Sequence, residues 1–151
     1  MKYINSIFKS IFILSIIALG FVSCSEPDAW SKVPDNVSNF LQQYWPGSEL
    51  TLVSTSKDGE CNVTIKNGPS LKFNASGSWT EINGNGSTLP SELLYDQLPD
   101  RFYKYIQEME ATDGVYSLKR NSDTYEAGLQ NTTLTYNIAT GETTFPRPKA
   151  E

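Results

Sequence analysis

Few residues in this sequence could do chemistry, and histidine is missing from all 151 positions. Serine and cysteine triads, most zinc sites and most general-base mechanisms at neutral pH depend on an imidazole. Paired carboxylates can hydrolyse glycosides. However, Glu108 and Glu110 are two positions apart on a predicted helix, so they point in different directions. The residue types therefore predict a protein that is not an enzyme and that uses no cofactor and no metal.

The two cysteines, Cys24 and Cys61, lie in different settings. Cys24 follows an apolar stretch from Ile11 to Val22, which is too short to cross a bilayer, since crossing takes about 20 apolar residues. Lysines precede this stretch and the small residue Ser23 ends it, as in an export signal that is removed from the mature protein. An ordinary cleaved signal with a cysteine nearby is the alternative interpretation.

Residues 19–24 (Leu-Gly-Phe-Val-Ser-Cys) resemble a bacterial lipobox, whose cysteine is lipidated and becomes the new N-terminus. Stable anchoring takes more than one acyl chain, which a diacylglyceryl cysteine provides. The resemblance implies a lipoprotein signal peptide at 1–23, lipid attachment at Cys24 and a tether at 24–32. It also implies a place in the bacterial cell envelope, on the periplasmic or surface side, with the outer membrane as the expected membrane.

Charge and cysteine usage limit the partners and the source of stability. The formal charge is −5, and removal of Lys2 and Lys9 with the signal would make the mature chain more acidic, so we expect no binding to nucleic acid. If Cys24 carries lipid, Cys61 has no partner for a disulfide, and the fold depends on a packed core. Cys61 has inward register in a predicted strand, which favours a small buried hydrophobe over a reactive thiol.

The mature chain shows the same order of elements twice. In the first half, a helical stripe of apolar residues runs from Val33 to Tyr44, and Pro46-Gly47 would end that helix. In the second half, a similar stripe runs from Leu98 to Met109, after a short helix at 90–94. Strands are predicted at 50–55, 61–66, 71–74, 79–82, 115–120, 125–130, 134–138 and 143–145.

These patterns predict an α+β fold built from a tandem duplication. Residues 61–67 align with residues 125–131, an offset of about 64 residues, longer than the periods of solenoid repeats. Each copy would be a helix followed by an antiparallel β-meander. The predicted boundaries are a first repeat at 33–86, a second repeat at 87–146 and a tail at 147–151, with a flexible linker at 83–88.

Short motifs in both copies resemble those of the PepSY-like, beta-lactamase-inhibitor-like bacterial envelope proteins. The first copy has Cys61-x-Val63-x-Ile65, Asn67-Gly68, Leu71-x-Phe73-Asn74 and Gly77-x-Trp79, and the second has Tyr125, Leu129, Leu134-x-Tyr136-Asn137 and Gly141. The family usually has an aromatic residue at the position of Cys61 and aspartate at Asn74 and Asn137. The resemblance implies helices on one face of an antiparallel sheet, with the other face and its loops free to bind a protein.

Alternation in the first copy predicts which strand residues face outward. The predicted inward residues are Leu52, Val63, Ile65, Leu71 and Phe73, and the predicted outward residues are Thr51, Thr55, Asn62, Thr64, Lys66, Ser70 and Lys72. A solvated, threonine-rich sheet face is the simpler interpretation. A docking surface is the functional one, and Thr64, Lys66 and Lys72 are then its candidate binding residues.

Two hypotheses of function follow. In the first, the chain is a non-catalytic envelope lipoprotein that binds an envelope or secreted protein, as a module of hydrolase-inhibitor type, and touches the membrane only through its lipid. In the alternative, it is a glycan or small-ligand binding module of the envelope. The alternative needs exposed aromatic platforms, so the exposure of Trp45 and Trp79 distinguishes the two.

Overall fold

A computed structural model describes residues 28–145 of the chain. The predicted signal peptide (1–23), Cys24 with the start of the tether, and the predicted tail (147–151) lie outside the described residues. Within the described residues, no helix is both long enough and apolar enough to cross a membrane.

The described residues form three α-helices and eight β-strands, and each predicted helix and strand is present with ends that differ by a few residues. Short 3-10 helices lie at Ala29–Lys32 and Thr112–Gly114. In chain order the main elements are α1 (Asp35–Tyr44), β1 (Leu50–Thr55), β2 (Cys61–Ile65), β3 (Ser70–Phe73), β4 (Trp79–Asn83), α2 (Ser91–Gln97), α3 (Asp100–Glu108), β5 (Ser117–Arg120), β6 (Thr124–Gly128), β7 (Thr133–Asn137) and β8 (Thr143–Thr144).

The eight strands form one antiparallel meander, in which each strand pairs with the next in sequence. The pairing continues between the two halves of the chain, because β4 and β5 are in register with Ile82 opposite Leu118. The segment predicted as a flexible linker begins at this join. There the Gly84 N–H donates a hydrogen bond to the Tyr116 carbonyl at 2.8 Å. Backbone pairing therefore unites both halves in a single sheet.

The core is made from the apolar stripes of the helices and from alternate strand residues. Val37 and Leu41 of α1, and Phe102 and Ile106 of α3, are fully buried, as their i, i+4 spacing predicts. Met109 is the exception to the predicted stripe: it is 40% exposed because α3 ends one residue before it. Buried strand residues in the same cluster are Leu50, Cys61, Val63, Ile65, Leu71, Phe73, Trp79, Ile82, Leu118, Ala127, Leu134 and Tyr136.

Strand β1 departs from the predicted alternation. Its pairing with β2 shifts register just before Leu52, which lies opposite Thr64. Such a bulge inserts one residue and reverses the side-chain directions beyond it. Leu52 is 51% exposed, Val53 packs against the core, and Thr55 lies opposite the buried Cys61. The prediction that Leu52 faces inward is therefore wrong, whereas Thr55, predicted to face outward, is exposed at the end of β1.

Candidate functional site

A row of side chains crosses the whole sheet on the face opposite to its buried residues. One residue from each strand contributes, and each lies directly opposite the next in the ladder. We call this set the charge row; it consists of Ser54, Asn62, Lys72, Glu81, Lys119, Glu126, Thr135 and Thr144. Side chains opposite one another in an antiparallel pair have Cβ atoms about 5 Å apart, so neighbours in this row are within reach of each other.

The four charged members of the charge row alternate in sign. Lys72 Nζ lies 2.8 Å from Glu81 Oε2, and their side chains are 58% and 32% exposed. Lys119 lies opposite Glu81 on one side and Glu126 on the other. Exposed ion pairs contribute about 0.2–1 kcal/mol each. The centre of this face therefore carries an alternating charge pattern with no net charge.

The predicted binding residues Thr64 and Lys72 lie on this face, on neighbouring strands, with Thr64 opposite Ser70 and Lys72 opposite Asn62. Thr64 is half-buried, and its Oγ1 lies 3.3 Å from Ser70 Oγ. Lys66 follows the end of β2, where its Nζ lies 2.7 Å from Glu49 Oε2 and its N–H donates to the Glu49 carbonyl at 2.8 Å. Lys66 is thus tied to the β1 side, at the margin of the face.

The sequence interpretation missed Glu81, Lys119 and Glu126 as members of this surface. Each is a charged residue next to a buried apolar one, which is a signal for an outward position in a strand. Their juxtaposition needed the registers of the β4–β5 and β5–β6 pairs, and β4 and β5 are separated in the chain by two helices. Alternation within one strand predicts which face a residue lies on, but it does not predict which residues of the adjacent strands lie beside it.

Trp79 is buried, with 2% of its surface exposed, and it belongs to a hydrogen-bonded chain that ties the sheet to two helices. Its indole Nε1–H donates to Gln97 Oε1 at 2.9 Å, and Gln97 Nε2 donates to the Tyr44 hydroxyl oxygen at 2.8 Å. The Tyr44 hydroxyl in turn donates to Asp96 Oδ2 at 3.1 Å. Trp79 is therefore not the exposed platform that the glycan hypothesis needs, and Trp45 is half-buried.

Two buried groups have shifted pKa values. Burial raises the pKa of the Tyr44 phenol, and the nearby Asp96 carboxylate raises it further, while the hydrogen bond with Gln97 acts in the opposite direction. Burial likewise raises the pKa of the Cys61 thiol, which is 1% exposed. Cys61 is thus a buried, protonated residue near neutral pH, as its register predicts. No cluster of three His, Cys, Asp or Glu side chains that could hold a metal occurs within residues 28–145.

The side chains of Asn74 and Asn137 accept backbone hydrogen bonds within their own turns. Asn74 Oδ1 accepts hydrogen bonds from the backbone N–H groups of Ser76 at 3.1 Å and Ser78 at 3.0 Å. Asn137 Oδ1 accepts one from the Thr140 N–H at 3.0 Å. An aspartate could accept the same bonds, so these positions need an acceptor near the backbone rather than a particular charge.

Comparison with known proteins gives a family and a fold. The model of the family described as "Putative beta-lactamase-inhibitor-like, PepSY-like" matches residues 59–141, just over half of the chain. Comparison with curated proteins found no significant match.

Three solved structures from Bacteroides have a similar fold. A putative periplasmic protein from Bacteroides vulgatus is 22% identical with a TM-score of 0.64, covering 78% of this chain and 93% of its own. A putative calcium-regulated periplasmic protein from Bacteroides thetaiotaomicron is 21% identical, with the same TM-score and coverage. A second Bacteroides vulgatus protein, described as periplasmic and of unknown function, is 19% identical with a TM-score of 0.63, covering 78% of this chain and 94% of its own.

Proposed function

The chain belongs to the PepSY-like, beta-lactamase-inhibitor-like family, and from this premise we propose that it is a non-catalytic module that docks another protein on the open face of its sheet. The observation that carries this proposal is the charge row, which runs without a break across all eight strands. Lys72 and Glu81, which an ion pair between β3 and β4 already holds, lose little further freedom when a partner binds. A fixed pattern of alternating charge favours one partner and one orientation over others.

The partner we propose is an envelope or secreted protein, and the family description favours a hydrolase that the module restrains. The absence of histidine from the sequence supports a role for the chain as a binding protein rather than an enzyme. Hydrolytic turnover that persisted through purification to homogeneity, and that no contaminant explained, would contradict the non-catalytic part of this proposal.

We propose that the chain is held in the bacterial cell envelope by lipid on Cys24. The lipobox-like segment 19–24 supports this, and the periplasmic descriptions of the structural relatives are consistent with export. The test is metabolic labelling with a fatty acid followed by detergent-phase partitioning. Wild type and Cys61→Ser should take up label and enter the detergent phase, whereas Cys24→Ser should do neither. Label on the Cys24→Ser protein would contradict the anchor.

We also infer that the fold arose by duplication, with helices covering one face of the sheet. The order of elements supports it, because α1 precedes β1–β4 and α3 precedes β5–β8. Each half also has an aromatic contact between its helix and its strands: Phe40 of α1 packs edge-on against Phe73 at 5.5 Å, and Phe102 of α3 stacks on Tyr136 at 5.3 Å. The two halves would then share an ancestral unit that could not form this sheet alone.

The docking proposal is tested by capture from the envelope fraction with matched variants of the full chain. Thr64→Arg places a long cation on the open face. Asn39→Arg makes the same change in charge and size on the exposed side of α1. A protein that wild type and Asn39→Arg recover equally, and that Thr64→Arg recovers at least tenfold less, would support docking on this face. Equal recovery by all three forms would rule out this face as the docking surface.

A further inference from the structure

A cavity of about 360 Å³ lies at one end of the sheet, where the β3–β4 and β5–β6 turns meet. Its lining includes Asn74, Ser78, Arg120, Asn121, Ser122 and Tyr125, with one positive charge and no carboxylate. The cavity is separate from the charge row, because Arg120 follows Lys119 in β5 and so points to the other face of the sheet.

The guanidinium of Arg120 is held in a fixed position. Its Nε donates a hydrogen bond to the Trp79 carbonyl at 2.5 Å, and its central carbon lies 4.3 Å from the centroid of the Trp79 ring. Tyr125, opposite Arg120 in the ladder, packs edge-on against the same indole at 6.1 Å. Trp79 is in turn fixed by its indole hydrogen bond to Gln97. The planar cation is therefore oriented before any ligand arrives.

Within residues 28–145, the terminal donors of Arg120 are unused and no carboxylate pairs with its charge, which rests only against the Trp79 ring. None of the three ion pairs there includes Arg120, and none of the hydrogen bonds there uses its Nη groups. A guanidinium has five N–H donors in a planar fork, which matches the two oxygens of a carboxylate. Half-buried and desolvated on its Trp79 side, this group is well placed to bind an anion.

The neighbouring polar groups add hydrogen-bond donors to the cavity. The Oδ1 atom of Asn74 is occupied by its own turn, and Asn121 Oδ1 accepts the N–H groups of Asp123 and Thr124, both at 2.8 Å. What the two asparagines have left are their Nδ2 donors. The hydroxyls of Ser122 and Tyr125 make no hydrogen bond within the described residues and can donate as well.

We infer that this cavity binds the carboxylate of a peptide C-terminus, with Arg120 as the paired cation. A terminal carboxylate and the carbonyl before it are acceptors only, which suits a lining rich in donors. A sugar acid would also bring hydroxyl donors, which the lining side chains can meet with hydroxyl oxygens alone, since both asparagine oxygens are occupied and no carboxylate is present. A phosphate dianion would leave charge uncompensated by a single arginine. The inference is independent of the docking proposal, since it concerns a different surface.

The test is a titration of the full chain, labelled with nitrogen-15 and held in detergent, followed through the Arg120 Nε–H signal and through the side-chain amide signals of Asn74 and Asn121, which remain in an Arg120 variant. The probes are an acetylated tripeptide with a free carboxylate, the same tripeptide with a terminal amide, glucuronate and inorganic phosphate, all at one ionic strength. We expect saturable binding of the free-carboxylate peptide and at least tenfold weaker binding of the other three. Equal binding of the amide peptide, or tighter binding of glucuronate or phosphate, would overturn the inference.

Variants of the cavity give a second criterion. Arg120→Lys keeps the charge but loses the planar fork, and Ser122→Glu brings a competing carboxylate into the lining from an exposed turn. Both should weaken peptide binding at least tenfold, and Ser122→Glu does so without touching the Trp79 contacts. Lys104→Gln removes a positive charge from an exposed position of α3, away from the cavity lining, and should leave binding unchanged. If both cavity variants bound like wild type, or if Lys104→Gln weakened binding equally, the site would be wrong.

Discussion

Lys72 Nζ and Glu81 Oε2 are 2.8 Å apart across the β3–β4 ladder. The same alternation of sign continues to Lys119 and Glu126 on the next two strands. Opposite charges that face each other stabilise a strand pair, and like charges destabilise it. The row therefore favours the observed register across the join between the two halves of the sheet, in addition to patterning the surface that we propose as a docking face.

Lys119→Glu tests the charge row, because it would place three carboxylates in succession across β4, β5 and β6. We expect the free energy of unfolding to fall by about 1 kcal/mol at low ionic strength, as measured by urea denaturation. High salt should reduce the difference, since exposed charges are screened. Lys57→Glu, in the exposed β1–β2 turn, is the matched control and should have little effect. Equal losses in the two variants, at either salt concentration, would contradict a specific role for the row.

Gln97→Leu tests the chain of hydrogen bonds that links Trp79 to Tyr44. The substitution leaves the Trp79 indole N–H without its acceptor and removes the donor to the Tyr44 oxygen. We expect a loss of about 1–3 kcal/mol of stability, measured by urea denaturation with tryptophan fluorescence. The control is Gln43→Leu, which removes an exposed hydrogen bond to Asp96 and should cost less than about 0.5 kcal/mol. A similar cost for both glutamines would show that the buried chain adds nothing.

The helices and strands could be predicted from the sequence because the patterns that indicate them are local. The spacing of Val37 and Leu41 predicts one face of a helix, and Asn67-Gly68 predicts a hairpin turn. Neither prediction needs information about distant residues. The β1 bulge before Leu52 could not be predicted in this way. A bulge depends on how two strands pair. The sequence of β1 alone is compatible with either set of alternate residues facing the core.

The candidate sites depend on the pairing of distant strands even more strongly. Thr64 and Lys72 could be assigned to one face because they lie on consecutive hairpin strands. Arg120 and Trp79 come from different halves of the chain, and only the β4–β5 pairing brings the guanidinium over the indole. No periodicity in the sequence encodes that contact, which is why the Arg120 cavity was not predicted.

The buried thiol of Cys61 should make stability depend on pH in the alkaline range. Burial raises its pKa above the ordinary value of 9.0, so the unfolded chain loses this proton first as the pH rises. The contribution is fully present below about pH 9, and it is lost as the pH rises from there through the pKa of the folded state. Tyr44, whose pKa is raised from 10.0, should contribute in the same direction at higher pH.

Urea unfolding at several pH values between pH 8 and pH 10 measures the slope of the free energy of unfolding against pH. The experiment uses the Cys24→Ser background, so that Cys61 is the single thiol of the chain. Adding Cys61→Ala should lower stability at every pH, but it should reduce the loss of stability with rising pH above about pH 9 and leave only the part that comes from Tyr44. If the slope were the same with and without the thiol, the Cys61 contribution would be excluded.

Asn74 should tolerate aspartate but not alanine. Its Oδ1 atom accepts two backbone N–H groups of the β3–β4 turn. Asn74→Ala should therefore lower the free energy of unfolding by about 1 kcal/mol. Asn74→Asp keeps an acceptor at the same place and should stay within about 0.5 kcal/mol of wild type in the same urea experiment. An aspartate variant as unstable as the alanine variant would mean that the amide nitrogen, rather than the oxygen, holds the turn.

Gly77, the one glycine of the β3–β4 turn, should be hard to replace by alanine for two separable reasons. Its φ is +78°, and a Cβ added there would lie 1.8 Å from Asn36 Nδ2, the atom that donates a hydrogen bond to the Ser76 carbonyl. Gly47 has a similar φ of +70° with open space around it. Gly47→Ala should thus cost about 1–2 kcal/mol for the left-handed backbone alone, while Gly77→Ala should cost more.

A double-mutant cycle isolates the second reason. Asn36→Ala removes the side chain that the new methyl group would meet, so in that background Gly77→Ala should cost no more than Gly47→Ala does in the wild type. Urea denaturation of the four members of the cycle, with Gly47→Ala as the reference, measures the coupling. An equal cost of Gly77→Ala with and without Asn36 would show that backbone strain accounts for the whole effect, and that the approach of α1 to the β3–β4 turn is looser than these distances require.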